Sequence, residues 1–93
     1  MQAYEWDRNK ARANAQDHAV TFDEAATVFL DPLALTVPDL FHSEDEDRFL
    51  EIGMSALGRL LMVVYTARGR VIRIISARKA TKTERKTYEE ENL

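Results

Sequence analysis

Three apolar runs joined by two short glycine-bearing links constrain this chain more than any other feature. The runs are RFLEIGM at 48–54, RLLMVVYT at 59–66 and RVIRIISA at 70–77. The first alternates, with Leu50, Ile52 and Met54 on one face and Phe49 and Glu51 on the other, the two-residue period of a half-buried strand. The second is apolar on both faces, as a central strand must be. The third is similar, apart from Arg73. The links Ala56-Leu57-Gly58 and Ala67-Arg68-Gly69 have the length and the glycine of hairpin turns. An antiparallel meander follows.

The flanks add helices. Residues 3–6, AYEW, read as a short strand rich in aromatics. Asp7 can cap a helix that the alanines of 9–15 favour. Thr21-Phe22-Asp23-Glu24 is a capping box that opens a second helix with Ala25, Ala26, Val28 and Phe29 on its apolar face. Asp31-Pro32 ends it, because the residue before proline avoids helical angles. LALTV at 33–37, followed by Pro38, suits a short edge strand. HSEDED at 42–47 is an acidic loop. Thr81-Lys82-Thr83-Glu84 is another capping box and starts a last helix toward Glu91, and the last few residues, EENL, are expected to fray. The expected fold is α+β: an antiparallel sheet of about four strands packed with two N-terminal helices and one C-terminal helix. The 93 residues form a single domain, 1–93, without repeat or linker.

Charge is segregated along the chain. Residues 1–58 hold 4 Lys/Arg against 12 Asp/Glu, a balance of −8, and residues 59–93 hold 9 against 4, a balance of +5. One basic surface facing a polyanion or an acidic partner fits this, and so does internal neutralisation. No cysteine is present, which removes disulfides and thiolate chemistry and agrees with a reducing compartment. The apolar runs are too short to span a bilayer, and MQAYEWDRNK lacks a signal-peptide pattern. The expectation is a cytoplasmic protein with no membrane contact. His18 and His42 are not at a helical ligand spacing, and Asp45 and Asp47 lack the glycine and glutamate of a calcium loop. No metal and no cofactor are expected. Ser43, Ser55 and Ser76 stand in no nucleophile motif.

The basic residues remain. Arg73 interrupts an apolar strand, so its guanidinium must meet a carboxylate, Glu51 for instance, or open onto a groove. Arg48 and Arg59 start two strands and Arg78 ends a third, so antiparallel pairing can gather their heads into a patch suited to phosphate. Lys79 follows Arg78, and Lys82, Arg85 and Lys86 recur at helical spacing, where a plain solvated face is the simpler account of Lys86. Tyr65, Tyr88 and Phe49 offer stacking surfaces for unpaired bases, although such residues more often fill a core. For RNA the chemistry needs little: a base for the 2′-hydroxyl, a cation at the crowded phosphate and an acid for the leaving oxygen. His18, Glu51, Glu84 and Lys79 are the proton carriers the composition permits.

YEWDRNKARANAQDHAVTFDEAATVFLDP resembles the opening of the BrnT toxins of bacterial type II toxin–antitoxin systems, and RFLEIGMSALGRLLMVVYTARGRVIRIISARKATKTERKTYEE is similar to the rest of that family. The resemblance implies a RelE-like fold and a ribonuclease that cleaves RNA and stops translation. It also implies a BrnA-type antitoxin with a ribbon-helix-helix domain, a hetero-oligomer built on a dimeric antitoxin, and operator DNA bound only through the antitoxin. By position His18 matches the family histidine, Arg48 the arginine before the isoleucine-glycine pair, Arg73 and Arg78 the signature arginines, and Glu84 and Arg85 the closing pair. Arg48, Arg73 and Arg78 are the expected phosphate-binding and transition-state residues, with Glu51 and His18 for proton transfer. Arg59, Tyr65, Lys79, Lys82 and Arg85 are the expected further RNA contacts.

The family's lysine-histidine-glycine step is Asp17-His18-Ala19 here. A glycine there would cap the helix in the left-handed conformation; Ala19 must adopt it at a cost of about 1 kcal/mol or end the helix another way. The rival function is a non-catalytic protein acting as an antitoxin-binding co-repressor. Direct DNA binding lacks a helix-turn-helix signature.

Overall fold

A computed structural model of the chain describes residues 2–41 and 47–93. The elements run β1 (Ala3–Glu5), α1 (Arg8–His18), α2 (Phe22–Thr27), a 3-10 turn (Val28–Leu30), β2 (Leu35–Pro38), β3 (Arg48–Met54), β4 (Leu60–Arg68), β5 (Val71–Lys79) and α3 (Lys82–Glu91). The expected acidic loop lies mostly outside the described residues. The sheet has five strands in the order β1-β5-β4-β3-β2. Two features correct the expectation of about four antiparallel strands. LTVP at 35–38 and the N-terminal AYE both join the sheet, and β1 lies parallel to β5. β3, β4 and β5 form the antiparallel meander read from the apolar runs. Gly58 and Gly69 turn its corners at φ 77° and 60°, angles that cost glycine nothing.

The two faces of the sheet bury different elements. α1 and α2 pack on one, which we call the helical face. Val20, Phe22, Ala25 and Val28 meet Leu61, Val63, Tyr65, Ile72, Ile74 and Ala77 there. Tyr4 and Trp6 add aromatic contacts, Tyr4 to Phe29 at 5.6 Å and Trp6 to Phe22 at 5.9 Å. α3 packs on the other face through Tyr88, which lies with Ile52, Leu60 and Met62. Tyr88 is the buried residue of α3. Its hydroxyl donates to Asp31 at 2.7 Å, and Asn92 donates to the Leu33 carbonyl at 3.1 Å. These bonds tie α3 and Asn92 to the segment that leads into β2.

β5 does not alternate strictly. Its pairing with β4 shifts between Val64 and Tyr65: Val64 faces Ser76, whereas Tyr65 faces Ile74. Ile75 is the extra residue of a β-bulge. Across it the phase of the strand reverses, so Ile74 and Ala77 both enter the helical-face core. Beyond the end of β1, the outer edge of β5 is closed by a side chain. Asn14 on α1 donates to the carbonyls of Ala77 at 2.8 Å and Val20 at 2.9 Å, and accepts from the Ala77 N–H at 3.0 Å.

The helix ends follow their residues. Asp7, Thr21 and Thr81 accept from the backbone N–H three residues on, and Thr81 and Glu84 complete a capping box. Ala19 closes α1 in the left-handed conformation at φ 56°, ψ 33°. A side chain there costs about 1 kcal/mol. Ala19→Gly is therefore expected to raise the melting temperature by roughly 4 °C in a thermal unfolding scan. An unchanged or lower value would show that the angle carries no strain.

Candidate functional site

Strand alternation and the bulge together sort the charged residues between the two faces. Ile72 and Ile74 point to the helices, so Arg73 points away from them. Ala77 also points to the helices, so Arg78 shares Arg73's face. Without the bulge, an odd spacing of five would have put these two arginines on opposite faces. Arg48 joins them, since it precedes Leu50 and Ile52 by even steps and Ile52 packs beside Tyr88. Ser76, opposite Val64, is on this face too.

Among the described residues, α3 covers one end of this face and leaves the rest open. A groove of about 340 Å³ remains, lined by Asp39, Arg48, Leu50, Met62, Val64, Ile75 and Ser76. Arg78 stands toward the α3 end, opposite Met62, and Arg73 toward the other end, opposite Thr66. Each is met by a carboxylate. Arg78 forks onto Glu84, Nη1 to Oε1 at 2.8 Å and Nη2 to Oε2 at 2.9 Å. The Arg78 guanidinium holds the Glu84 carboxyl below its ordinary value, against the opposing effect of burial, and Glu84 in turn raises Arg78. Glu84 also accepts from the Thr81 N–H at 2.9 Å, so one carboxylate starts α3 and orients the arginine. Arg73 pairs with Glu5 at 3.3 Å rather than with Glu51. Lys82 and Arg85 are exposed at the start of α3.

The remaining candidates stand elsewhere. Glu51 lies between Leu50 and Ile52 and so points to the helical face, away from Arg48, Arg73 and Arg78. It is buried, accepting from Thr36 at 2.7 Å and Tyr65 at 3.1 Å. Tyr65 is a core residue with its ring centroid 4.8 Å from that of Phe29 and 5.7 Å from that of Phe49; burial, then Glu51, pushes its hydroxyl up to about 12. Arg59 is fastened to Glu24 on α2, Nε to Oε2 at 2.9 Å, and to the Ala19 carbonyl. That ion pair lowers the Glu24 carboxyl chiefly by hydrogen bonding. Arg59 thus closes the α1–α2 corner and does not converge with Arg48 and Arg78. Lys79 is exposed at the end of β5, close enough to help lower Glu24. His18 is exposed in the last turn of α1, a helix packed against the other face. Tyr88 is buried under α3. Asp39 lines the groove without having been singled out in the sequence, and Ser76, set aside there because it stands in no nucleophile motif, lines it too. The Ile74-Ile75 doublet, which breaks the alternation just before Ser76, is the one local sign.

Burial raises the Glu51 carboxyl above its ordinary 4.5, outweighing its two hydrogen bonds. The folded chain therefore holds this proton more tightly than the unfolded chain. The resulting stability is complete below the unfolded value and is lost as pH rises through the folded one. Glu51→Gln is expected to melt higher than the parent chain at pH 7, with the gap closing toward pH 4. A gap that persists at pH 4 would show that ionisation is not its source.

Among the described residues no group of three or more His, Asp or Glu is placed to hold a metal ion, and no helix is long and apolar enough to cross a membrane. The family model for the "ribonuclease toxin, BrnT, of type II toxin-antitoxin system" matches residues 6–84. The fold is similar to the 1.1 Å crystal structure of the Brucella abortus ribonuclease toxin BrnT. The TM-score is 0.67 at 21% identity, over 88% of this chain and 100% of that one. No curated protein matches the chain.

Proposed function

We propose, since the chain belongs to the BrnT family of ribonuclease toxins of type II toxin–antitoxin systems, that it cleaves RNA in the groove beside α3 and so inhibits translation. The observation that carries this reading is the placement of Arg48, Arg73 and Arg78 on one sheet face around that groove. In this reading an RNA phosphate displaces Glu84 from the Arg78 fork, whose two parallel N–H groups match phosphate oxygens as well as carboxylate oxygens. The 2′-hydroxyl attacks the adjacent phosphorus, a base takes its proton, and the guanidinium offsets the added charge on the phosphate oxygens. The leaving 5′-oxygen then takes a proton. These steps need no metal. Glu51 and His18, the proton carriers expected from sequence, belong to the helical side, so the proposal assigns proton transfer to the groove-lining Asp39. Lys82 and Arg85 guide the RNA backbone from α3. Arg59, Tyr65 and Lys79 fall outside this surface.

The family implies an antitoxin partner. We extend this to a BrnA-type ribbon-helix-helix protein that holds the toxin on a dimeric antitoxin and represses the shared operon. RelE-like ancestry of the fold belongs to the same reading. Induced expression of the chain alone, without antitoxin, tests the core of it. Growth arrest with RNA decay is the expected result. Normal growth with intact RNA, together with retained antitoxin binding, would establish the co-repressor instead.

A further inference from the structure

Thr66 is 2% exposed, and its Oγ1 is a buried side-chain oxygen with no hydrogen-bond partner among the described residues. Such a hydroxyl costs stability, and valine would fill a strand position of this kind without the cost. A buried polar atom left unsatisfied needs an account. Its place in the sheet supplies one. The register sets Thr66 of β4 directly between Arg48 of β3 and Arg73 of β5. All three side chains are on the groove face, and Arg48 lines the groove itself. Two guanidinium groups flanking a hydroxyl donor make an arrangement complementary to a phosphate oxygen pair.

We infer that Thr66, Arg48 and Arg73 form a phosphate-binding subsite at the end of the groove away from α3, with Thr66 as a substrate-binding residue. The inference rests on the ribonuclease reading above and extends it along the RNA. Thr66 and Met62, the latter opposite Arg78, are four residues apart on β4, about 13 Å. The subsite therefore addresses a different phosphate from the one at Arg78. In the free chain the hydroxyl is closed to solvent, and Arg73 rests on Glu5 in a pair whose side chains are 34% and 43% exposed. Pairs of this kind break at little cost. A phosphate that draws Arg73 from Glu5 toward its strand neighbour brings guanidinium and hydroxyl onto one anion.

Thr66→Val separates this role from packing. The readouts are the melting temperature, KM and kcat on a single-stranded RNA, and the Kd of an uncleavable 2′-deoxy oligonucleotide. The expected result is a melting temperature equal to or above that of the parent. KM and Kd rise about tenfold while kcat changes less than twofold. Thr66→Ser, which keeps the hydroxyl, stays within about twofold of the parent KM. Unmoved KM and Kd in an otherwise active Thr66→Val chain overturn the subsite alone. A lower melting temperature that Thr66→Ser restores overturns it too, since the hydroxyl then has a partner inside the fold. A parent chain that neither cleaves nor binds RNA overturns the ribonuclease reading and the subsite together.

Discussion

Arg78→Ala is expected to lower the rate of RNA cleavage by at least about 100-fold in single-turnover assays. Removing one positioned donor from a developing oxyanion costs this much in enzymes generally, and Arg78 contributes two N–H groups in a fixed fork. The folded state survives the change. α3 keeps its Thr81 cap, the Tyr88–Asp31 bond and the burial of Tyr88, so circular dichroism and size exclusion should match the parent. Arg78→Lys retains charge but not the fork, and is expected to recover only part of the rate. The same substitution should abolish growth arrest in cells while leaving antitoxin capture intact. Cleavage at the parental rate by a folded Arg78→Ala chain would remove Arg78 from the reaction.

Asn14→Ala carries the largest expected loss of stability. The Asn14 amide makes three buried hydrogen bonds with backbone groups, two of them to Ala77 of β5 and one to Val20 at the corner between α1 and α2. Alanine leaves an N–H and two carbonyls unpaired where water has little access. One such group costs about 1–3 kcal/mol, and partial relaxation keeps the total near 3 kcal/mol. For a chain of this length the melting temperature should fall by roughly 15 °C. Asn14→Asp keeps an acceptor for the Ala77 N–H but sets a buried carboxylate against the two carbonyl oxygens that the amide N–H groups now meet, and at pH 7 it is expected to melt no higher than Asn14→Ala. A drop of only a few degrees for Asn14→Ala would mean that water replaces the amide and that α1 is held by its apolar contacts alone.

These two positions also show what was readable without a structure. Arg78 stood out because a charged signature ends an apolar strand. Thr21 and Thr81 announced helix starts because capping is local, settled within four residues. The meander was readable because short glycine-bearing links leave consecutive strands little choice of partner. Pairing between distant segments leaves no such local trace. Nothing in AYE says that it joins Val71–Arg73 in parallel, some 68 residues away. Asn14 looked like any polar residue of a surface helix, since its partner Ala77 is 63 residues distant. Glu51 is a different case. Its position between Leu50 and Ile52 already placed it on the face opposite Arg48. Ion pairs such as Arg59 with Glu24 depend on how α2 lies on the sheet, which periodicity alone does not give.

The Asn14 amide has one more effect, on how this molecule meets other chains. An exposed strand edge is a template for main-chain pairing with a neighbour. On the β5 side, β1 occupies the first three residues, and at Ala77 the N–H and carbonyl that a visiting strand would need are already bonded to a side chain. A side-chain amide has the same donor and acceptor as a peptide group, yet it offers nothing beyond itself on which another strand could build. The opposite margin, β2, pairs with β3 alone among the described residues. Growth of the sheet by a borrowed strand, whether in a specific complex or in aggregation, is thereby hindered along the Ala77 end of β5, which leaves the three-residue β1 and the β2 margin as the places where a strand can add.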